Sequence, residues 1–150
     1  MSDLNKAAEY IGQSKFVVLA TTDGSGVPVV RTLASFANDN LNVYFSTGRN
    51  TAKVEQIAAN PKVSLLFQHE GQELAGFQNV TLTGQAEPLQ SGDELSKAIQ
   101  LLSDRNPRFK ERVAKGGLGD TLIFRVEPKS VKYLDFSKGV GPAAVQELAI

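Results

Sequence analysis

Residues 15–46 read KFVVLATT, DGSG, VPVVRTLASFA, NDN and LNVYFS in succession, and this run decides the fold. Lys15 to Thr22 is rich in β-branched residues and reads as a buried strand. Asp23 to Gly26 is a turn whose glycines can take positive φ. Val27 to Ala37 predicts a second strand, Asn38 to Asn40 another turn, and Leu41 to Ser46 a third strand. Strands joined by such short turns must run antiparallel, so the chain begins as a meander.

On the N-terminal side, Ser2 or Asp3 caps a helix in which Leu4, Ala7, Ala8 and Ile11 recur at helical spacing, and Gly12 closes it. On the C-terminal side, Asn50 reads as the N-cap of a short helix through Ala59, with Val54, Ile57 and Ala58 facing inward. Asn60-Pro61 ends it, because a residue before proline avoids the helical region. Val63 to Gln68 and Gly76 to Pro88 read as strands, the second alternating Val80 and Leu82 with Thr81 and Thr83. Ser91 or Asp93 opens a helix carrying Leu95, Ala98, Ile99 and Leu102, which Asn106-Pro107 breaks before a shorter helical piece from Arg108 to Ala114. The glycines of 116–119 lead into strand Thr121 to Val126, a bend at Glu127 to Ser130, and strand Val131 to Phe136. With no repeat or linker, residues 1–150 are expected to form one domain. Six to seven mostly antiparallel strands with flanking helices predict a mainly β fold, a small barrel with helices packed outside.

Composition narrows the function classes. Sixteen basic and sixteen acidic residues cancel, which argues against a nucleic-acid face. The chain has no cysteine and one histidine, His69, so thiolate chemistry and Cys- or His-based metal clusters are excluded and no metal site is expected. No apolar run reaches the roughly 20 residues of a membrane helix, and the N-terminus lacks a hydrophobic signal core. The expectation is a cytoplasmic protein without membrane or nucleic-acid partners. His69 follows a strand and precedes Glu70 with no nucleophile motif nearby, so it reads as an exposed loop residue. The glycines at 116–119 and 139–141 lack the spacing of a phosphate-binding fingerprint. No catalytic residue is identifiable from the residues themselves.

One region stands apart. Arg31 and Lys53 bracket a block containing the hydroxyls Ser46, Thr47 and Thr51 and the start of a helix. Arg31 by itself, inside an apolar strand, is more often a solvated side chain than a buried one. Lys53 by itself is mildly unfavourable in a first helical turn, since a cation opposes the positive end of the helix dipole. A phosphate would relieve that mismatch: free N–H groups and the dipole favour an anion, Arg grips two of its oxygens, and Lys adds a point charge. The block reads as a seat for a phosphorylated small molecule.

The stretches Pro28-Val-Val-Arg31-Thr-Leu, Tyr44-Phe-Ser-Thr47 and Thr51 to Phe67, with its helix ending in Asn60-Pro61 before an apolar strand, resemble the pyridoxamine 5′-phosphate oxidase-like FMN-binding proteins. These are split β-barrel flavoproteins with general stress and haem-utilisation proteins among their relatives. The resemblance runs from Phe16 to about Phe136. It implies FMN bound at the interface of a homodimer. Arg31 and Lys53 would hold the phosphate, with Ser46, Thr47 and Thr51 near the phosphate or ribityl chain and Thr32 and Leu33 against the ring. Asn79 stands where the oxidases often place a glutamine, supplied to the flavin by the partner subunit. A flavin brings its own redox chemistry, so the lack of conventional catalytic residues fits a small-molecule oxidoreductase.

The departures are specific. The oxidases carry adjacent Arg-Lys at the phosphate helix, where this chain has Ala52-Lys53. They carry a lysine five residues after the phosphate arginine, where this chain has Phe36, and an Arg-x-His pair near the C-terminus, absent from residues 137–142. The expectation is therefore an FMN oxidoreductase that is not a pyridoxamine-phosphate oxidase. The alternatives are a non-catalytic flavin- or haem-binding stress protein, or a deazaflavin-dependent reductase.

Overall fold

The structure, a computed structural model, describes residues 2–150. Helix α1 (Asp3–Gln13) leads into β1 (Val17–Thr22), β2 (Pro28–Leu33), β3 (Phe36–Asp39) and β4 (Asn42–Gly48). Helix α2 (Ala52–Ala59) separates these from β5 (Lys62–Phe67) and β6 (Gln78–Leu89). Helices α3 (Asp93–Arg105) and α4 (Pro107–Gly116) follow, then β7 (Thr121–Asp135) and β8 (Val145–Leu148). The strands form one antiparallel sheet in the order β2-β1-β5-β6-β7-β4-β3, with β8 added to the outer end of β7. It curls into the split barrel expected from the sequence, and the helices lie outside it.

Three boundaries differ from the sequence reading. The predicted strand Val27–Ala37 is two strands, because Ala34 and Ser35 leave the ladder and carry the chain to the other edge of the sheet. The bend at Glu127 to Ser130 does not interrupt β7, since the register shift opposite Gly84 absorbs it as a bulge. A Cβ on Gly84 would overlap the Glu127 carbonyl oxygen and sit 2.9 Å from its carbon, so only glycine permits that approach. The tail supplies β8, whose pattern of three exposed residues and buried Leu148 hides it from period-2 reading. The count is thus eight strands, not six or seven.

Strand alternation sorts the side chains into two cores. Inside the barrel, Leu19, Leu65, Leu82, Phe45, Phe67, Val126 and Val131 pack with Ala7 and Ile11 of α1 and Ile57 of α2. On the outer face, Tyr44 and Ile123 pack against Ala98 and Leu102 of α3 and Phe109 of α4. Asn106 caps α4 by accepting from the Arg108 and Phe109 amides at 3.1 and 3.3 Å, which fixes the α3–α4 corner. Arg125 bridges Glu87 and Glu94, and Tyr44 donates to Glu94 at 3.0 Å, pinning α3 to the sheet. Among the described residues, no helix is long and apolar enough to cross a membrane.

His69 is not the exposed loop residue the sequence suggested. Its ring stacks on Tyr10 with centroids 3.6 Å apart and planes 1° from parallel. Its Nε2 lies 2.9 Å from the Tyr10 carbonyl oxygen, while the Tyr10 hydroxyl accepts from the His69 amide and donates to the Gln78 carbonyl at 2.6 Å. The histidine fastens α1 to the barrel.

Candidate functional site at the start of helix α2

Arg31 pairs in register with Leu19, a fully buried residue, so its side chain starts on the core face of the edge strand β2. A guanidinium there must be satisfied locally. It donates to Thr21 Oγ1 at 2.8 Å and Gln56 Oε1 at 2.7 Å, with longer contacts to the Leu19 and Val29 carbonyls. Thr21 in turn donates to Gln56 Oε1 at 2.6 Å. The sequence reading that ranked a solvated Arg31 first is corrected: the edge position lets the core face of β2 open onto α2 rather than into the barrel.

Lys53 stands three residues before Gln56 and four before Ile57, hence on the face of α2 turned toward Arg31. Burial draws its pKa below the usual lysine value, and the neighbouring Arg31 charge adds to that. Burial alone lowers Arg31. Among the described residues, no carboxylate forms an ion pair with either cation. Two partly buried like charges are therefore held near each other without a carboxylate partner, an arrangement that an incoming anion would relieve.

The hydroxyls divide by strand alternation. Thr47 shares the face of Phe45 and Leu122, toward α2, and lies 3.4 Å from the Thr51 hydroxyl. Thr51, not Asn50, is the N-cap of α2, and its hydroxyl donates to the Gly48 carbonyl at 3.0 Å, leaving the first-turn amides without a side-chain cap. Ser46 shares the opposite face with Tyr44 and Ile123, hydrogen-bonded to Ser35. Thr32 likewise points away from Arg31, opposite Val18 on the outer face of the sheet, while Leu33 is buried. Asn79, at the start of β6, reaches Gln68 at 3.2 Å and is not brought to the other candidates. The structure thus brings Arg31 near Lys53 through Gln56 of α2, sets Thr47 against the N-cap Thr51, and places Ser46, Thr32 and Asn79 elsewhere. Sequence reasoning missed Thr21 and Gln56, although the spacing of Gln56 from Lys53 already placed them on one helix face.

Of the cations that could have replaced the missing substrate groups, Arg105 is engaged elsewhere. Phe36 is buried in the barrel core against Phe67, and Arg105 lies over its ring at 4.2 Å while donating to the Gly12 and Ser14 carbonyls. Arg105 therefore closes α1 onto β3 and is not free for a ligand.

The pyridoxine/pyridoxamine 5′-phosphate oxidase of Shewanella woodyi is 34% identical over 139 residues, covering 90% of this chain and 61% of that protein. Its counterpart from Shewanella sediminis is 34% identical over 92 residues, covering 61% and 41%. The chain thus spans only about two fifths to three fifths of these relatives' length. A haem-binding protein structure from Mycobacterium smegmatis superposes with a TM-score of 0.81 at 18% identity, over 99% of this chain and 58% of that one, and shows the shared fold. The family model for pyridoxamine 5′-phosphate oxidase matches residues 4–135, and with the split barrel in place, the chain belongs to that family.

Proposed function

We propose that this protein binds FMN at the start of α2 and is an oxidoreductase on a small substrate, distinct from the oxidases of vitamin B6 phosphates. The observation that carries the reading is the pair of uncompensated, partly buried cations, Arg31 and Lys53, beside an N-terminal turn with no side-chain cap. A phosphate monoester fits that seat, since it supplies the missing negative charge and accepts from helix amides, hydroxyls and guanidinium together. Bound there, FMN would supply the redox chemistry. Arg31, prearranged by Thr21 and Gln56, and Lys53 anchor the phosphate. Thr47 and Thr51 line its approach, and the backbone of Thr32 and Leu33 offers surface to the ring.

A homodimer completes this reading. The outer face of the sheet carries Val18, Val30, Leu66 and Asn79, and Val30 is 66% exposed on the edge strand. A second copy covering that face would bring Asn79 toward the flavin of its neighbour. The absence of an available lysine at Phe36 and of an Arg-x-His pair in residues 137–142 argues against turnover of pyridoxamine phosphate, which depends on holding the substrate in a reactive pose.

The test is an FMN titration of wild type, Arg31→Ala and Lys53→Ala, with riboflavin alongside. Loss of one charge-assisted contact should weaken FMN about tenfold or more, and riboflavin should bind far more weakly than FMN. Equal affinities across the three proteins refute the seat. Light scattering should give a dimer mass, and a monomer that holds FMN tightly would refute the interfacial placement. A haem-carrying reading draws on the fold shared with the mycobacterial haem-binding protein. The stacked, hydrogen-bonded state of His69 speaks against it, because ligation would require that ring to leave Tyr10. The absorption spectrum of the purified protein separates flavin, deazaflavin and haem.

A further inference from the structure

Helix α2 borders a second space besides the anion seat. Val54, Ile57 and Ala58 form one wall of a hollow of about 280 Å³. Leu122 and Phe124 of β7 and Ala86 of β6 form the other, and Pro61 and Pro88, both exposed, stand at its mouth. Among the described residues, no charged or hydrogen-bonding side chain lines it. The prolines have no N–H to offer, the Ala86 amide already donates to the Pro61 carbonyl at 2.8 Å, and the β7 residues are paired in the sheet. The space exists because Ala58 and Ala86 contribute only methyl groups where larger side chains would fill it. Close-packed interiors leave few voids larger than a water molecule, and a site without polar partners holds water poorly.

The apolar character stops at the mouth. Glu55, Lys62 and Glu87, each next in sequence to a lining residue, are exposed and charged. Among the described residues, none of the large exposed hydrophobic side chains borders the hollow. A stable protein partner buries about 800 Å² on each side, and no apolar surface continues outward here to supply it. The fitting occupant is a small molecule recognised by shape and apolar contact. A dry cavity of about 150 Å³ with a similar lining takes benzene, so this one has room for two fused rings.

We propose that the hollow binds one uncharged aromatic molecule of one or two rings, and that its occupancy tightens the phosphate seat through α2. That helix has eight residues, no side-chain bond at its N-cap, and Ile57 as its one buried residue. A helix so short is held by packing rather than by its own hydrogen bonds. A ring in the hollow adds contacts to Val54 and Ala58, and so steadies Lys53 and Gln56 on the same two turns. The coupling is reciprocal, so an anion in the seat tightens the ring. The coupling rests on the FMN reading above, while the binding of the ring does not.

The probes are naphthalene and toluene, with benzoate as the charged control. Each is titrated into the whole protein, with and without saturating FMN, while the methyl NMR signals of Val54, Ile57 and Leu122 are followed. At least one hydrocarbon should shift these methyls saturably, and benzoate should not. Ala58→Leu fills the hollow and should weaken binding about tenfold or more, whereas Lys110→Gln on α4 should leave it unchanged. Ala58 is exposed and leucine is a good helix former, so the variant keeps its fold, which the same spectra check. Saturating hydrocarbon should lower the Kd of FMN about fivefold or more in wild type and leave it unchanged in Ala58→Leu. No saturable shift with either hydrocarbon, or wild-type affinity in Ala58→Leu, overturns the site. Shifts of the same methyls with protein concentration alone assign the hollow to a second copy and overturn the small-molecule occupant. An unchanged Kd of FMN at saturating hydrocarbon overturns the coupling. If FMN fails to bind while the methyls respond, the cofactor reading and the coupling fall together and the ring site stands.

Discussion

Replacing Lys53 with glutamine should raise the stability of the free protein and lower that of the FMN-loaded one. In the free protein the lysine is held beside Arg31 with no carboxylate to offset it, and burial and that charge both depress its pKa. The side chain is partly solvated, so relief of the like-charge contact is worth only about 0.5 kcal/mol. Glutamine has a helix propensity close to that of lysine, so α2 itself is little changed. For a chain of this size that gain raises the melting temperature by about 1–2 °C. FMN at a hundred times its Kd stabilises wild type by about 2.7 kcal/mol. If the variant binds tenfold more weakly, the same FMN gives it about 1.4 kcal/mol. The loaded variant then melts about 2–3 °C below loaded wild type, and the order of the two melting curves inverts on adding FMN. Differential scanning fluorimetry with and without FMN reads both differences. A free variant that melts below wild type would refute the uncompensated-charge argument, and an unchanged FMN-induced shift would refute the anion seat. The pH sign agrees: a lysine with a depressed folded pKa opposes folding while charged, so free-protein stability rises as pH climbs through that pKa while FMN affinity falls.

Three further outcomes follow from particular contacts. Gly84→Ala should destabilise by about 3 kcal/mol, since the atoms in the way are the Glu127 and Pro128 backbone rather than a movable side chain, and a denaturation midpoint equal to wild type would contradict the bulge geometry. All three tyrosines have raised pKa values, Tyr44 to about 12, chiefly through burial and then through Glu94. Stability from Tyr44 is full below its unfolded value near 10 and is lost as pH rises to about 12, so in native ultraviolet titration the Tyr44 phenolate should form only at that higher pH, whereas its early ionisation would contradict its burial. Asn106→Ala should cost about 1 kcal/mol by uncapping α4, measured by chemical denaturation, and no loss would mean that the cap does not hold the α3–α4 corner.

Much of the architecture was legible because it depends on local periodicity. Strands β1, β4, β5 and β6 and all four helices follow from β-branched runs, Asn-Pro stops and amphipathic spacing, which act within a few residues. Arg31 and Lys53 were legible as a pair because each is locally out of place, a cation in an apolar strand and a cation in a first helical turn. What the sequence by itself could not decide depends on partners distant along the chain. Splitting of the second strand at Ala34-Ser35 is dictated by where β3 finds β4, and β8 exists only because β7 offers it an edge. The direction of each hydroxyl was equally nonlocal: Thr47 and Ser46 are adjacent in sequence, yet the pleat puts one on the face of Phe45 and the other on the face of Tyr44. His69 became a fastening because α1 folds Tyr10 onto it across 59 residues, and Arg105 became a clamp because Phe36 and the α1 carbonyls arrive from the other end of the fold. Sequence determined the elements and the charges out of place. Tertiary structure decided which of those charges were neutralised, because neutralisation requires a partner that only the closed barrel brings within reach.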